Sequence, residues 1–144
     1  MKSNAIIQLE IDLFKDLAAT HPHFPVKYIP KQRRSDATAN GLTRCIIEYI
    51  RQHGGQAERI SITGRPNQIG GRIMWTKSHM TRGTADISAT IGGRSVKIEV
   101  KVGRDRQSSE QRNYQREVEQ AGGIYYIARN FESFVKWYES LWRQ

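Results

Sequence analysis

The fold of this chain is decided by residues 83–102, which read GTADISATIGGRSVKIEVKV. Apolar and polar residues alternate through two runs, 85–91 and 94–102, and Gly92-Gly93 separates the runs. Two glycines between alternating runs are a strong signal for a β-hairpin with a two-residue turn. We therefore predict an antiparallel pair of strands that turns at these glycines.

The register of the hairpin follows from the length of its turn. A two-residue turn pairs Ile91 with Arg94, and counting back along both strands sets Asp86 opposite Glu99. Side chains alternate between the two faces of a strand, so Asp86, Glu99 and Lys101 share one face. The other face is apolar and consists of Ala85, Ile87, Ala89, Ile91, Val96, Ile98, Val100 and Val102.

The polar face of the hairpin allows two interpretations. Carboxylates that face each other across a ladder repel, because their Cβ atoms lie about 4.5–5.5 Å apart. A divalent cation between Asp86 and Glu99 would remove this repulsion, with Lys101 in reach of a bound phosphate or water. Alternatively, the face is an ordinary exposed surface on which Lys97 and Lys101 offset the acids. The pattern alone leaves both interpretations open.

The composition is that of a polar and strongly basic chain. Its 144 residues include 23 Lys and Arg against 14 Asp and Glu, a formal net charge of +9. Such a charge implies a polyanionic partner, most commonly nucleic acid, although a basic structural protein would have the same charge. No apolar run approaches the roughly 18 residues of a membrane span. The single Cys45 excludes an intrachain disulfide and suits a reducing cytosol, so we expect a cytoplasmic protein with Cys45 in its core.

Hydrophobic periodicity and turn signals predict the remaining elements. An N-terminal helix and a proline-containing basic arm form an appendage, 1–38, ahead of a core domain, 39–144. The predicted elements of the core domain are a helix from Leu42 that ends at Gly54-Gly55, a strand 56–63, a glycine-rich loop or β-excursion 64–82, the hairpin, a helix 108–121, a strand 124–128 and a last helix capped by Asn130. This order predicts an α/β fold in which helices flank a mixed β-sheet.

Four motifs in the core domain resemble the PD-(D/E)XK nuclease superfamily, and within it the virus-type replication-repair nuclease (VRR-NUC) family. The motifs are Gly83-Thr84-Ala85-Asp86-Ile87 for G-x-P-D-hydrophobic, Ile98-Glu99-Val100-Lys101 for I-E-V-K, Ser108-Ser109-Glu110-Gln111 for S-x-x-Q, and Ala121-Gly122-Gly123 followed by the strand that ends in Ala128-Arg129. The resemblance extends from about Asn40 to Tyr138. It implies a restriction-endonuclease-like core with the order α-β-β-β-α-β-α.

The chain departs from the family pattern at two positions. Ala85 stands where the family has a proline, although Asp86 itself is retained. The family also has a glutamate near the start of its first core helix, where residues 39–41 of this chain contain no acid. Asn40 either supplies a neutral oxygen there or caps the helix, and Asp36 is a more distant candidate. A site without this acid depends on two carboxylates.

The resemblance implies metal-dependent hydrolysis of phosphodiester bonds in DNA. It assigns the metal, Mg²⁺ or Mn²⁺, to Asp86, Glu99 and the Val100 backbone carbonyl. Lys101 would orient the attacking water and offset developing negative charge. Gln111 would hydrogen-bond a metal-bound water or position Lys101, or would serve as the capping-box residue of its helix; the two roles do not exclude each other.

Arginines near the motifs are the expected contacts to the DNA backbone. Arg104, Arg106 and Arg112 follow the metal site in sequence, and Arg82 ends a basic segment, 65–82, that is placed to close over DNA from the other side. Stand-alone members of the family are similar to junction resolvases. The resemblance therefore implies a homodimer on branched, Holliday-junction-like DNA of phage or mobile-element origin, with the N-terminal helix and arm as the dimer contact.

Two other functions remain open from the sequence. An exonuclease or a restriction-type endonuclease would use the same residues, although a chain this short leaves little room for a base-reading domain. A non-catalytic, degenerate nuclease-fold module that only binds DNA would account for the missing helix acid. Cleavage assays separate these functions, because a module that has lost its chemistry binds DNA without nicking it.

Overall fold

Four helices and six strands make up the computed structural model, which describes residues 1–60, 65–76 and 81–142. The helices are α1 (Asn4–Thr20), α2 (Ala39–Gln52), α3 (Ser109–Gln120) and α4 (Phe131–Trp142), with a 3-10 turn at Val26–Tyr28. The strands are β1 (Gln56–Arg59), β2 (Arg65–Ile69), β3 (Arg72–Thr76), β4 (Ile87–Ile91), β5 (Arg94–Val100) and β6 (Ile124–Ala128). Within these described ranges, no helix is both long enough and apolar enough to cross a membrane.

A four-stranded mixed sheet is the centre of the fold, with the strand order β1-β4-β5-β6. The first three strands are antiparallel to their neighbours, whereas β5 and β6 are parallel and are joined by α3. Strands β2 and β3 form a separate two-stranded sheet, so the predicted excursion is a β-hairpin over 65–76. The predicted strand 56–63 ends at Arg59, and its positions 61–63 lie outside the described residues, as do 77–80. The predicted α/β class with a mixed, helix-flanked sheet is confirmed.

The predicted register of the β4–β5 hairpin is confirmed. Ile91 pairs with Arg94 and Ile87 pairs with Ile98. Both turn glycines have positive φ angles, +57° at Gly92 and +78° at Gly93, as a type I′ turn requires. The same register, continued by one residue, sets Asp86 opposite Glu99.

Helices cover both faces of the sheet, and the hydrophobic core lies on one of them. Helices α2 and α4 pack on the apolar face of the hairpin, and the fully buried side chains there include Leu42, Ile46, Ile50, Ile87, Ile98, Phe131 and Phe134. Ile6 and Leu9 of α1 belong to the same core, so the N-terminal helix packs directly on the predicted core domain. Cys45 is buried in this core as predicted, and burial is the main reason why its pKa is raised to about 11. Helix α3 covers the polar face.

Two polar side chains fix the start of helix α4. The Ser133 N–H donates to Asn130 Oδ1 at 2.8 Å, so the predicted Asn130 cap is confirmed. The Phe131 N–H donates to Asp36 Oδ2 at 2.8 Å. Asp36, the more distant candidate for the missing helix acid, therefore ties the N-terminal arm to α4.

Replacing Asp36 with alanine is expected to lower the free energy of unfolding by about 1–2 kcal/mol, because it leaves a backbone N–H at a helix start without its acceptor. Urea unfolding measures the change. Asp36→Asn is the matched control, since its side-chain oxygen still accepts from Phe131, and it should lie close to the parent protein. Equal losses in the two variants would mean that the charge, rather than the hydrogen bond, is what stabilises α4.

Candidate active site

Asp86 and Glu99 meet at the open end of the β4–β5 hairpin. Asp86 directly precedes β4, and its Oδ2 accepts from the Val100 backbone N–H at 2.8 Å. Its carbonyl accepts from the Ile60 N–H at 2.8 Å, which continues the pairing with β1. Contacts to both neighbouring strands therefore hold Asp86 beside Glu99.

Glu99 is a buried carboxylate with one oxygen left unsatisfied. Its exposed fraction is 2%, and burial, followed by the charge of Asp86, raises its pKa to about 8, although Lys101 acts in the opposite direction. Oε1 accepts from Gln111 Nε2 at 2.8 Å. Oε2 receives no hydrogen bond from the described residues, and a hydrogen bond between the protonated Glu99 and Asp86 contributes to the raised pKa. Such an oxygen is costly to bury unless a proton or a cation satisfies it.

Lys101 supplies the positive charge of the site. Its backbone N–H donates to the Ala128 carbonyl at 2.9 Å, which extends the contact between β5 and β6. Nζ lies 3.6 Å from Glu99 Oε1 and 3.9 Å from Asp105 Oδ2. The residue is 7% exposed. The interpretation of this face as an exposed surface is therefore wrong for Glu99 and Lys101, because both residues are buried.

Gln111 is the capping-box residue of α3, one of its two predicted roles, and it also contacts Glu99. Its Oε1 accepts from the Ser108 N–H at 2.8 Å, and its own N–H donates to Ser108 Oγ at 3.2 Å, which completes a capping box at the start of α3. The opposite end of the same amide, Nε2, donates to Glu99. The start of α3 is thereby fastened to the carboxylate pair.

Gly83 sets the distance between the Asp86 segment and α3. Its φ angle is +77°, and a Cβ built on it would lie 2.4 Å from the carbonyl carbon and oxygen of Glu110 and 2.6 Å from the backbone nitrogen of Gln111. A side chain cannot fit at such distances. The close approach explains why glycine precedes the Thr-Ala-Asp segment here, and it places the neighbouring Arg82 beside the first turn of α3.

The carboxylate pair fits a small, hard cation such as Mg²⁺ or Mn²⁺. Two carboxylates share the site, and the unsatisfied Oε2 of Glu99 is an oxygen ligand of the kind that these ions prefer. No cluster of three or more His, Cys, Asp or Glu with metal-binding geometry occurs among residues 1–60, 65–76 and 81–142. Asp86 and Glu99 would therefore be the acidic ligands that these ranges contribute, and substrate phosphate and water would complete the shell.

Asn40 lies in the first turn of α2, where its side chain contacts Arg59. Its Oδ1 accepts from Arg59 Nη2 at 2.7 Å, and it lies on α2, which packs on the face of the sheet opposite Glu99. The prediction that Asn40 caps this helix is wrong, because Thr38 does so: its Oγ1 accepts from the Gly41 N–H at 3.0 Å. Two cap-type residues stand close together, and the earlier one starts the helix.

The predicted DNA-contacting arginines lie in three places. Arg104 and Arg106 line a groove of about 490 Å³ together with Arg129. Arg112 is exposed on α3, and its Nη1 donates to the Gln107 carbonyl at 2.9 Å. Arg82 is exposed near Glu110, whose pKa is lowered first by a backbone hydrogen bond and, to a smaller extent, by Arg82. All four therefore lie on or next to the elements that carry the carboxylate pair.

Two tyrosines and an arginine near the site were missed from the sequence. Burial, with a smaller contribution from the Glu99 and Asp86 charges, raises the pKa of Tyr125 to about 12 against the opposing effect of a hydrogen bond from Gln107. Burial and then Glu99 also raise the pKa of Tyr114. Their signal was no more than helix or strand periodicity. Arg129 had a clearer one, since it directly follows the predicted strand 124–128, and ligands often bind beyond the carboxyl ends of strands in α/β sheets.

Comparison with known proteins assigns neither a family nor a function to the chain. No protein-family model, curated protein or solved structure matches the chain. Membership of the PD-(D/E)XK superfamily and of the VRR-NUC family stays a prediction that rests on the four motifs.

Proposed function

We propose that this protein is a metal-dependent deoxyribonuclease with a restriction-endonuclease-like core, and that it cleaves branched DNA. The observation that carries the proposal is the unsatisfied, buried Oε2 of Glu99 beside Asp86. A buried carboxylate next to a second acid destabilises the folded protein. A divalent cation relieves this destabilisation, so the arrangement is suited to holding one.

The residues of the site have distinct tasks in this proposal. Asp86, Glu99 and the Val100 carbonyl would hold Mg²⁺ or Mn²⁺, which would supply a more acidic water and stabilise negative charge on the attacked phosphate. Lys101 orients the attacking water and offsets the negative charge that develops on the phosphate, for which its Nζ beside Glu99 is well placed. Gln111 holds Glu99 in one orientation by donating to Oε1.

The charge and the surface of the chain support DNA as the substrate. A net charge of +9 favours binding to a polyanion, and Arg82, Arg104, Arg106 and Arg112 surround the site as backbone contacts. The proposed homodimer places two sites on one four-way junction. Exposed apolar side chains on the N-terminal helix and arm, including Ile7, Ile11, Phe24, Val26 and Tyr28, are the proposed dimer contact.

The proposal is tested by cleavage of single-stranded, duplex, flapped and four-way DNA in Mg²⁺ and in Mn²⁺. The wild type is expected to require the metal and to cut four-way DNA fastest. Asp86→Asn should lower the rate at least about 100-fold, because the loss of a carboxylate ligand removes several kcal/mol of metal-dependent stabilisation. Glu119→Gln is the matched control, since Glu119 is an exposed acid at the far end of α3 from Gln111 and accepts there from Gln115, and it should cut at the wild-type rate.

Two outcomes would contradict the proposal at different points. Equal rates on all four DNA structures would remove the selectivity for branches and favour an exonuclease or a restriction-type enzyme. A wild type that binds four-way DNA without nicking it in either metal would remove the enzyme. The second outcome would favour the non-catalytic binding module, which is also supported by the absence, in the described ranges, of a group of three or more His, Cys, Asp or Glu that could hold a metal ion.

A further inference from the structure

The groove beside the candidate active site is lined by three arginines. Its lining consists of Gly103, Arg104, Asp105, Arg106 and Arg129. The three arginines are exposed. In the portion of the chain that the structure describes, none of them has a carboxylate oxygen within the 4.0 Å of an ion pair. The groove therefore concentrates positive charge.

Arg129 fixes the shape of the groove without losing its charge. Its Nη1 donates to the backbone carbonyl of Asp105 at 3.2 Å, so it fastens the loop that follows β5. The Asp105 carboxylate lies instead 3.9 Å from Lys101 Nζ. The acid within the groove is thus directed to the active-site lysine, and the guanidinium groups remain available to an anion.

The groove begins where the parallel strands β5 and β6 end. Val100 and Ala128, the last residues of these strands, are paired, and Ala128 accepts from the Lys101 N–H. Arg129 is the next residue, so its backbone lies about one strand spacing, 4.7–4.9 Å, from that of Lys101. A nucleic acid strand that reaches Lys101 passes this groove as it continues over the end of the sheet.

Phosphodiester is the ligand class that suits three adjacent guanidinium groups. Like charges held together repel each other, and an anion relieves the repulsion. The planar guanidinium also binds phosphate through two parallel hydrogen bonds, which a lysine does not. A phosphate group supplies the negative charge that offsets the three arginines, and its oxygens are spaced to accept the paired hydrogen bonds of a guanidinium.

We propose that the groove binds a backbone phosphate of the same DNA strand whose phosphodiester is cleaved at Asp86 and Glu99, with Arg129 as its central contact. The inference rests on the proposed function, and it adds a subsite that lies at the carboxyl ends of β5 and β6. The subsite orients the strand relative to the carboxylate pair.

The test compares Arg129→Gln with Arg94→Gln in DNA binding. Arg94 begins β5 beside the hairpin turn, six residues from Val100, or about 20 Å along the strand, so its replacement removes the same charge far from the groove. Binding of a short fluorescent duplex is measured in EDTA over a range of salt concentrations. Arg129→Gln is expected to weaken binding about three- to tenfold and to reduce the salt slope by about one, whereas Arg94→Gln should change both by less than half as much.

Several results would overturn the subsite. Equal effects of the two variants would show that total charge alone matters. If inorganic phosphate binds the wild type and not Arg129→Gln while both bind DNA equally, the groove is a free-anion site. Arg106→Gln replaces Arg129→Gln should the latter not fold, with the same expected slope. Because binding is measured without metal, a wild type that never cleaves would remove the nuclease and leave this result standing.

Discussion

Glu99→Gln is expected to lower DNA cleavage about 10³-fold and, in the same protein, to raise thermal stability at pH 8 in EDTA. The glutamine keeps an oxygen for the bond from Gln111, and its amide group can donate to Asp86. It lacks the charge that holds a divalent cation, which accounts for several kcal/mol of the loss in rate. This one substitution therefore separates the effect of the Glu99 charge on the stability of the metal-free protein from its effect on the cleavage rate.

The pH dependence of this effect follows from the direction of the shift. Burial and Asp86 raise the pKa of Glu99 from 4.5 to about 8, so between these values the folded protein holds a proton that the unfolded chain has released. The free energy of unfolding of the metal-free wild type therefore falls as the pH rises from 4.5 to 8. Below pH 4.5 Glu99 is protonated in both states and the destabilisation is absent. Above pH 8 Glu99 is ionised in both states and the destabilisation has its full value. It is on the order of a few kcal/mol, since one pKa unit corresponds to about 1.36 kcal/mol.

Thermal unfolding at several pH values in EDTA, with and without added Mg²⁺ or Mn²⁺, measures these effects. Glu99→Gln should unfold several degrees above the wild type at pH 8, and the difference should shrink toward pH 4.5. Added metal should stabilise the wild type and leave the variant unchanged. Glu58→Gln, at an exposed position of β1, is the control and should follow the wild type throughout. A Glu99→Gln protein that is less stable than the wild type at pH 8 would disprove the proposal that ionised Glu99 destabilises the metal-free protein. A variant that cuts at the wild-type rate would disprove the proposal that Glu99 binds the metal.

Gly83→Ala is expected to destabilise the protein by about 3 kcal/mol or more and to impair cleavage. A left-handed φ costs a non-glycine residue roughly 1–2 kcal/mol. The new Cβ would also lie 2.4 Å from the Glu110 carbonyl, and backbone atoms cannot rotate away as a side chain can. Relief of the contact moves the start of α3, and with it Gln111, away from Glu99.

Gly93→Ala separates the two causes. Gly93 has a nearly equal φ, +78°, and a Cβ added to it would meet no atom within 4 Å, so its replacement should cost the conformational energy alone, about 1–2 kcal/mol. Urea midpoints of the two variants give the difference, and cleavage is measured below both transitions. If the two variants lose the same stability and keep the same activity, the packing of α3 on Gly83 has no bearing on the site.

The hairpin and its polar face were predictable from the sequence because local rules determine them. A two-glycine turn fixes the register, and alternation then assigns Asp86, Glu99 and Lys101 to one face. Capping-box spacing located the start of α3 at Ser108. Local signals did not locate the start of α2, where Thr38 and Asn40 are both good N-cap residues and nothing in the sequence chooses between them.

Features that depend on packing between distant segments were not predictable. The alternation pattern does not distinguish an exposed Glu99 from a buried one, since burial depends on how closely α3 approaches. The groove joins the loop after β5 to Arg129, more than twenty positions along the chain, and only the parallel pairing of β5 and β6 brings them together. The motif around Gly83 likewise does not indicate that a glycine is needed there because α3 packs directly against it.

The capping box of α3 has a consequence for how the site can be observed. The side-chain amide of Gln111 is held at both ends, by Ser108 and by Glu99, so it cannot turn over without breaking both bonds. Opening of the first helical turn and release of the carboxylate are consequently one event. Hydrogen exchange at the Ser108 amide then reports the state of a buried carboxyl group on another element, and the helix end serves as a built-in probe of the site.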